Sequence, residues 1–122
     1  MIQTISTTEM VQQLDDPRFT IIDVRPIAAY NGWILLGEAR GGHIPGAIAF
    51  PRAWTDDTVG EKLKTLMESK GLRAEEAVAV YGYSGEDVVV MTERLIDVGC
   101  RNVRTYQEGL EAWAADKSLP MS

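Results

Sequence analysis

Val78-Ala79-Val80-Tyr81-Gly82-Tyr83-Ser84-Gly85-Glu86-Asp87 decides the reading of this chain. An apolar run enters a short turn bracketed by two glycines. A long amphipathic pattern opens directly behind it, with Val88, Met91, Leu95 and Val98 on one face and Gly99 to close it. A strand that feeds a helix through so short a turn aims successive backbone N–H groups at one point. That point is a helix N-terminus, where an anion or a developing negative charge is favoured.

On either side of this unit the same alternation repeats. Ile2 to Ile5 reads as a short strand, and Ser6-Thr7-Thr8-Glu9 as a capping box, with Ile5 and Met10 spaced as a hydrophobic staple. Asp15-Asp16-Pro17 ends that helix. Phe19 to Val24 is an apolar strand, followed by a short helix around Ile27 to Tyr30. Asn31 to Gly42 is irregular and carries the run Trp33-Ile34-Leu35-Leu36. Ala47 to Phe50 is a further short strand, and Val59, Leu63, Leu66 and Met67 repeat at helical spacing before Gly71. Ala77 to Tyr81 and Val103 to Tyr106 complete the strands, and Leu110 with Trp113 anchors a last helix. Strands that alternate with helices imply a central parallel sheet with helices on both faces. The unbroken apolar runs agree, because such strands are buried on both sides. Ligands of such sheets gather at the carboxyl ends of strands, where the loop after Tyr81 lies.

Composition narrows the function classes. The 122 residues suffice for one domain with one core, and 45% hydrophobic with 25% charged residues is ordinary for a globular protein. A net charge of −6 argues against a nucleic-acid or anionic-membrane surface, both of which need clustered cations. One cysteine, Cys100, excludes an internal disulfide and leaves cytoplasm and periplasm equally open. No apolar run approaches the ~20 residues of a membrane span, so no membrane insertion is expected. No signal-peptide pattern precedes Ile2. The abrupt start and end lead us to expect a fragment of a longer protein.

Three segments together resemble the rhodanese family of sulfurtransferases. Ile22-Asp23-Val24-Arg25 resembles its Asp-x-Arg motif, and Gly42-His43-Ile44-Pro45-Gly46-Ala47 the turn before its next strand. Val78 to Leu95, with Gly99, Asn102-Val103 and Glu108 to Trp113, resembles its loop, helix and C-terminal end. The resemblance implies a rhodanese-like α/β fold for residues 1–122 as a single domain. It also implies a catalytic loop of the form Cys-x-x-Gly-x-Arg, in which the cysteine carries the transferred sulfur. Here Gly82 stands in place of that cysteine, Gly85 keeps the fourth position and Asp87 replaces the basic residue. The loop Gly82, Tyr83, Ser84, Gly85, Glu86, Asp87 therefore reads as degenerate, with no catalytic and no substrate-binding residue. The connection from Tyr30 to Gly42 is longer than in compact single-domain members. Long versions occur in tandem sulfurtransferases, where one unit is inactive and another carries the cysteine. The resemblance thus implies the inactive N-terminal unit of a thiosulfate sulfurtransferase, with a structural, docking or regulatory role, an adjacent rhodanese-like domain or a sulfur-relay protein as partner and no cofactor.

Other residues admit sharper readings, which weigh less. Cys100 is the rival nucleophile for an active single-domain sulfurtransferase, yet a helix C-terminus is the wrong pole for a thiolate, so an inert thiol is expected. His43 reads as a turn-holding ring, and Asp23 with Arg25 as a charge-assisted network tying loops together. A hydrolase built on Ser84, His43 and Asp23 lacks the last glycine of a nucleophile elbow. The paired glycines lack the Lys-Ser or Lys-Thr of a phosphate loop, and no cluster has metal-ligand spacing. Trp33, Ile34, Leu35 and Leu36 are too apolar for a solvated loop and are expected at an interface.

Overall fold

The computed structural model describes residues 2–122. Five parallel strands form one sheet: β1 (Gln3–Thr4), β2 (Phe19–Asp23), β3 (Ile48–Ala49), β4 (Ala77–Tyr81) and β5 (Asn102–Thr105), in the order β1-β5-β4-β2-β3. Five helices alternate with them: α1 (Thr7–Gln13), α2 (Ile27–Tyr30), α3 (Glu61–Ser69), α4 (Gly85–Asp97) and α5 (Gly109–Ala115). Successive strand residues face opposite sides, which explains the continuous apolar runs. Ile22, Val78, Val80 and Val103 meet Leu63 and Met67 of α3 and Val88, Met91 and Leu95 of α4. Ile21, Ala79 and Tyr81 face the other way, towards Met10 of α1 and Leu110 and Trp113 of α5.

The strand order places the functional end. The connection leaving β2 leads to β3 on one side, and the connection leaving β4 leads to β5 on the other. The crevice of a doubly wound sheet opens where the order reverses, so the ends of β2 and β4 frame it. Those ends carry Asp23 to Arg25 and Tyr81 to Gly82.

Local signals account for the helix ends. The Ser6 hydroxyl accepts from the Glu9 N–H at 3.1 Å, and the Glu9 carboxylate accepts from the Ser6 N–H at 3.1 Å. Ile5 and Met10, the two staple residues, are buried in one cluster. The Trp113 indole N–H reaches the Pro120 carbonyl at 2.8 Å and so holds the terminal segment against α5.

Three readings need correction. β1 and β3 are only two residues long, because each is an edge strand paired on one side. Helix α3 begins at Glu61, so Val59 lies ahead of its apolar stripe and is exposed. A 3-10 turn at Arg52–Thr55 follows Pro51 where no element was expected. Among the described residues, no helix is long and apolar enough to cross a membrane.

Ser6→Ala should lower stability by about 1 kcal/mol in urea denaturation through loss of the cap. Trp113→Ala should cost ~3–5 kcal/mol, because it empties a fully buried indole site.

Candidate functional site

Strand β4 ends at Tyr81, Ser84 caps α4, and only Gly82 and Tyr83 lie between them. The Ser84 hydroxyl accepts from the Asp87 N–H at 3.1 Å, so the helix satisfies one of its own free donors. Gly82 is buried. A β-carbon there would stand 2.7 Å from Cγ2 of Val24 and 3.4 Å from Cγ2 of Val88. The position thus lacks a nucleophile, and any side chain there would require the Val24 side chain to shift.

The acids of the first helical turn are not bare charges. Arg52, on the turn after β3, donates to Asp87 at 2.6 Å and lies 3.9 Å from Glu86. The hydrogen bond to Asp87, above all, holds the Arg52 guanidinium above its usual range. Asp87 therefore closes the helix entrance as half of an ion pair, a different form of occupation from the free repelling charge that its sequence position suggests. Beside the loop lies a groove of about 380 Å³ between the segments that follow β4 and β5. Among the described residues its lining includes Tyr83, Ser84, Tyr106, Glu108 and Glu111, and no Lys, Arg or His. That charge balance opposes an anionic ligand.

Asp23 and Arg25 meet at the end of β2 with both side chains fully buried. The guanidinium Nη2 lies 2.7 Å from Asp23 Oδ2, and Nε donates to the same carboxylate at 3.0 and 3.1 Å. Nη2 also donates to the Gly42 carbonyl at 2.6 Å, and Nη1 faces Glu38 at 3.6 Å. The rings of Tyr81 and Tyr83 lie 5.8 and 5.1 Å from the guanidinium carbon. The Tyr81 hydroxyl donates to Asp23 at 2.6 Å and accepts from the Ile44 N–H at 3.1 Å. Burial, reinforced by the Asp23 charge, pushes its phenol well up. The Tyr83 hydroxyl donates to Glu38, and the Leu36 N–H donates to the same carboxylate at 3.0 Å. Burial pushes Glu38 up, but the Tyr83 and backbone hydrogen bonds and the Arg25 charge outweigh it and leave the carboxyl below its usual value.

Asp23 and Arg25 are thus brought together as one buried network. His43 is not bonded into it: its ring stacks on Tyr30 at 3.8 Å and its Nδ1 pairs with the Tyr30 carbonyl at 2.9 Å. Its neighbours Gly42 and Ile44 contact the network through their backbones instead. Glu38 and Arg52 carry no site reading in the sequence, Tyr83 is read there only as part of the degenerate loop, and Tyr81 only as the end of its strand. The one available signal was Glu38, a lone acid behind four apolar residues. Cys100 is buried, with Sγ 3.4 Å from Met67 Sδ, and burial pushes its thiol up. It precedes β5, at the opposite end of the sheet from Gly82, about 20 Å away at ~3.3 Å per residue. Trp33, Ile34, Leu35 and Leu36 are all exposed, by 70, 51, 46 and 72%.

Arg25→Ala should destabilise the domain by ~3–5 kcal/mol in chemical denaturation, since it strands the buried carboxylates of Asp23 and Glu38. The depressed folded value of Glu38 gives stability that is fully present above the ordinary carboxylate value of 4.5 and lost as pH falls through the depressed one. Denaturation midpoints should therefore drop on acidification below that range, and Glu38→Gln should flatten this acid limb.

The rhodanese-like domain model matches residues 6–116. The chain is 28% identical over 110 residues to the thiosulfate sulfurtransferase YnjE of Escherichia coli (strain K12), covering 90% of this chain and 25% of YnjE. Among solved structures, the anaerobic ergothioneine biosynthesis enzyme from Chlorobium limicola, in complex with trimethyl histidine, superposes with a TM-score of 0.92. Identity is 34%, over 100% of this chain and 28% of that one. A cysteine-persulfide form of EanB with ergothioneine gives a TM-score of 0.91 and 35% identity, over 98% of this chain and 28% of that one. The chain therefore spans about a quarter of the length of the relatives it matches. In sequence, strand order and the place of its loop, the chain belongs to the rhodanese-like domain family, and it is related to a thiosulfate sulfurtransferase.

Proposed function

We propose that this chain is a catalytically inactive rhodanese-like domain, one unit of a longer tandem sulfurtransferase, whose work is structural or docking. The observation that carries the reading is position 82. Sulfur transfer from thiosulfate needs a thiolate at the mouth of the loop. The thiolate attacks the outer sulfur, the S–S bond breaks, sulfite leaves with the electron pair, and the persulfide then passes its sulfur to an acceptor. Gly82 offers no sulfur, and Cγ2 of Val24, 2.7 Å from where a cysteine β-carbon would stand, would have to shift to admit one.

The surroundings support the same reading. The helix entrance is closed by the Ser84 cap and the Arg52–Asp87 pair, and the adjoining groove carries two carboxylates. Cys100 offers no replacement, since its thiol is buried, held protonated by desolvation and remote from the loop. The relatives' names, a thiosulfate sulfurtransferase and an ergothioneine biosynthesis enzyme, suggest sulfur transfer as the parent's chemistry, with the active cysteine on another unit. An adjacent rhodanese-like domain or a sulfur-relay protein is then the partner, and Trp33–Leu36 is the surface offered to it.

The chain should show no thiosulfate-to-cyanide transfer. Wild-type turnover that disappears in Cys100→Ser would overturn the reading. Gly82→Cys alone should also stay inactive and react slowly with disulfide reagents, because its β-carbon collides with Val24. Adding Val24→Ala should expose the thiol, and adding Glu86→Asn with Asp87→Arg should raise its reactivity further. If Gly82→Cys alone reached an ordinary kcat of ~10 s⁻¹, the packing argument would be wrong.

A further inference from the structure

We infer that the groove between the segments that follow β4 and β5 binds a small organic cation, an ammonium or amidinium carried on an apolar body. Such binding goes beyond the inactive reading, because it does not depend on whether the loop transfers sulfur. The walls, the charge and the size of the groove each point to that class of ligand.

The walls are backbone and apolar side chain. Gly82 and Gly109 bring the two segments close together, and a β-carbon at Gly109 would stand 3.4 Å from the Gly82 carbonyl oxygen. Val88 and Val89 of α4 belong to the lining, and Val89 is 36% exposed. Covering that apolar surface with the body of a ligand is favourable.

The charge comes from the start of α5. Glu108 and Glu111 line the groove, and both are exposed. Glu108 is held in place from α1: its Oε2 accepts from the Thr7 N–H at 3.2 Å and from the Thr7 hydroxyl. That hydroxyl also pairs with the Tyr106 hydroxyl at 2.6 Å. Among the described residues, no Lys, Arg or His forms an ion pair with either carboxylate. The positive end of α4, which would otherwise compete, is met by the Ser84 cap and by Glu86 and Asp87. Two carboxylates without a cation, beside an apolar wall, suit a charged N–H donor on an apolar body.

Size and topology narrow the occupant further. A volume of about 380 Å³ falls within the roughly 300–1,000 Å³ of small-molecule sites. A basic peptide would need a free strand edge for its backbone, and β4 and β5 are each paired on both sides. A metal ion would need more donors. Among the described residues, no group of three or more His, Cys, Asp or Glu side chains is placed to hold one.

The test is a titration of the chain, followed by amide chemical shifts, with benzamidinium, neutral benzamide and anionic benzoate, which share a ring and differ in charge. Benzamidinium should shift the amides of Ser84, Gly85, Val89, Gln107 and Glu111 saturably, with a Kd on the order of 1 mM. Benzamide should bind several-fold more weakly and benzoate not at all. Glu111→Gln, which spares the Thr7 contact, should weaken benzamidinium by roughly fivefold. Val89→Ser should weaken benzamidinium and benzamide alike. The amide dispersion of each variant reports that it is folded. Equal affinity for benzamidinium and benzamide, an unchanged Kd in Glu111→Gln, or shifts scattered away from the groove would overturn the inference. So would tighter saturation of the same amides by Ca²⁺ or by a tetralysine peptide, which would give the groove to a metal ion or a basic segment. Sulfur transfer by the chain would sink the inactive reading and leave this titration as it stands.

Discussion

A guanidinium taken out of water is the constraint on which the rest of this structure depends. Removing an ion from water costs several kcal/mol even after relaxation, and only well-aimed partners repay it. Arg25 finds them in three segments: Asp23 at the end of its own strand, the Gly42 carbonyl and Glu38 on the long connection, and the rings of Tyr81 and Tyr83 at the end of β4. Two carboxylates face one cation, and the surplus negative charge is met by the Tyr81 and Tyr83 hydroxyls and the Leu36 N–H. One charge thereby ties the long connection to the ends of β2 and β4.

The same pair explains the blocked loop. Strand residues alternate in direction, so a polar Asp23 and Arg25 on one side turn Val24 to the other. Val24 belongs to the core cluster that contains Val80 and Val88, and its Cγ2 lies where a side chain at position 82 would start. Its carbonyl accepts the Arg52 N–H at 3.1 Å, which brings the Arg52 side chain to Asp87. The ion pair, the bare Gly82 and the closed helix entrance are parts of one packing arrangement. Restoring a cysteine alone leaves that arrangement in place.

Much of the fold was legible because its signals are local. The apolar run Ala77–Tyr81, the Ser6–Glu9 box and the stripe of α4 each declare themselves within a few residues. The edges were less so: a strand of two residues has too short a pattern to measure, and Val59 continues a periodicity that its helix does not. At the site, Gly82 and the Asp23–Arg25 spacing could be read directly. The bonds from Arg25 to Gly42 and from Tyr81 to Asp23 could not, since they join residues 17 and 58 apart in the chain and exist only once the sheet is formed. The partner of the His43 ring was not legible either: it stacks on Tyr30 and pairs with the Tyr30 carbonyl, 13 residues back in the chain.

A helix N-terminus at the mouth of a crevice is a place where the backbone offers positive potential, and a chain either leaves it open for a ligand or uses it internally. Here it is used internally. Ser84 takes the Asp87 N–H, and Glu86 and Asp87 stand in the first turn, where each acid stabilises the helix by ~0.3–1 kcal/mol. The partly exposed Arg52–Asp87 pair, screened by solvent, adds little more. None of these terms is large, yet all act at the same point and in the same direction. Together they convert a feature that elsewhere attracts an anion into ordinary helix stability. The proposed inactivity therefore rests on the missing cysteine first, with the internal use of this helix N-terminus as its support.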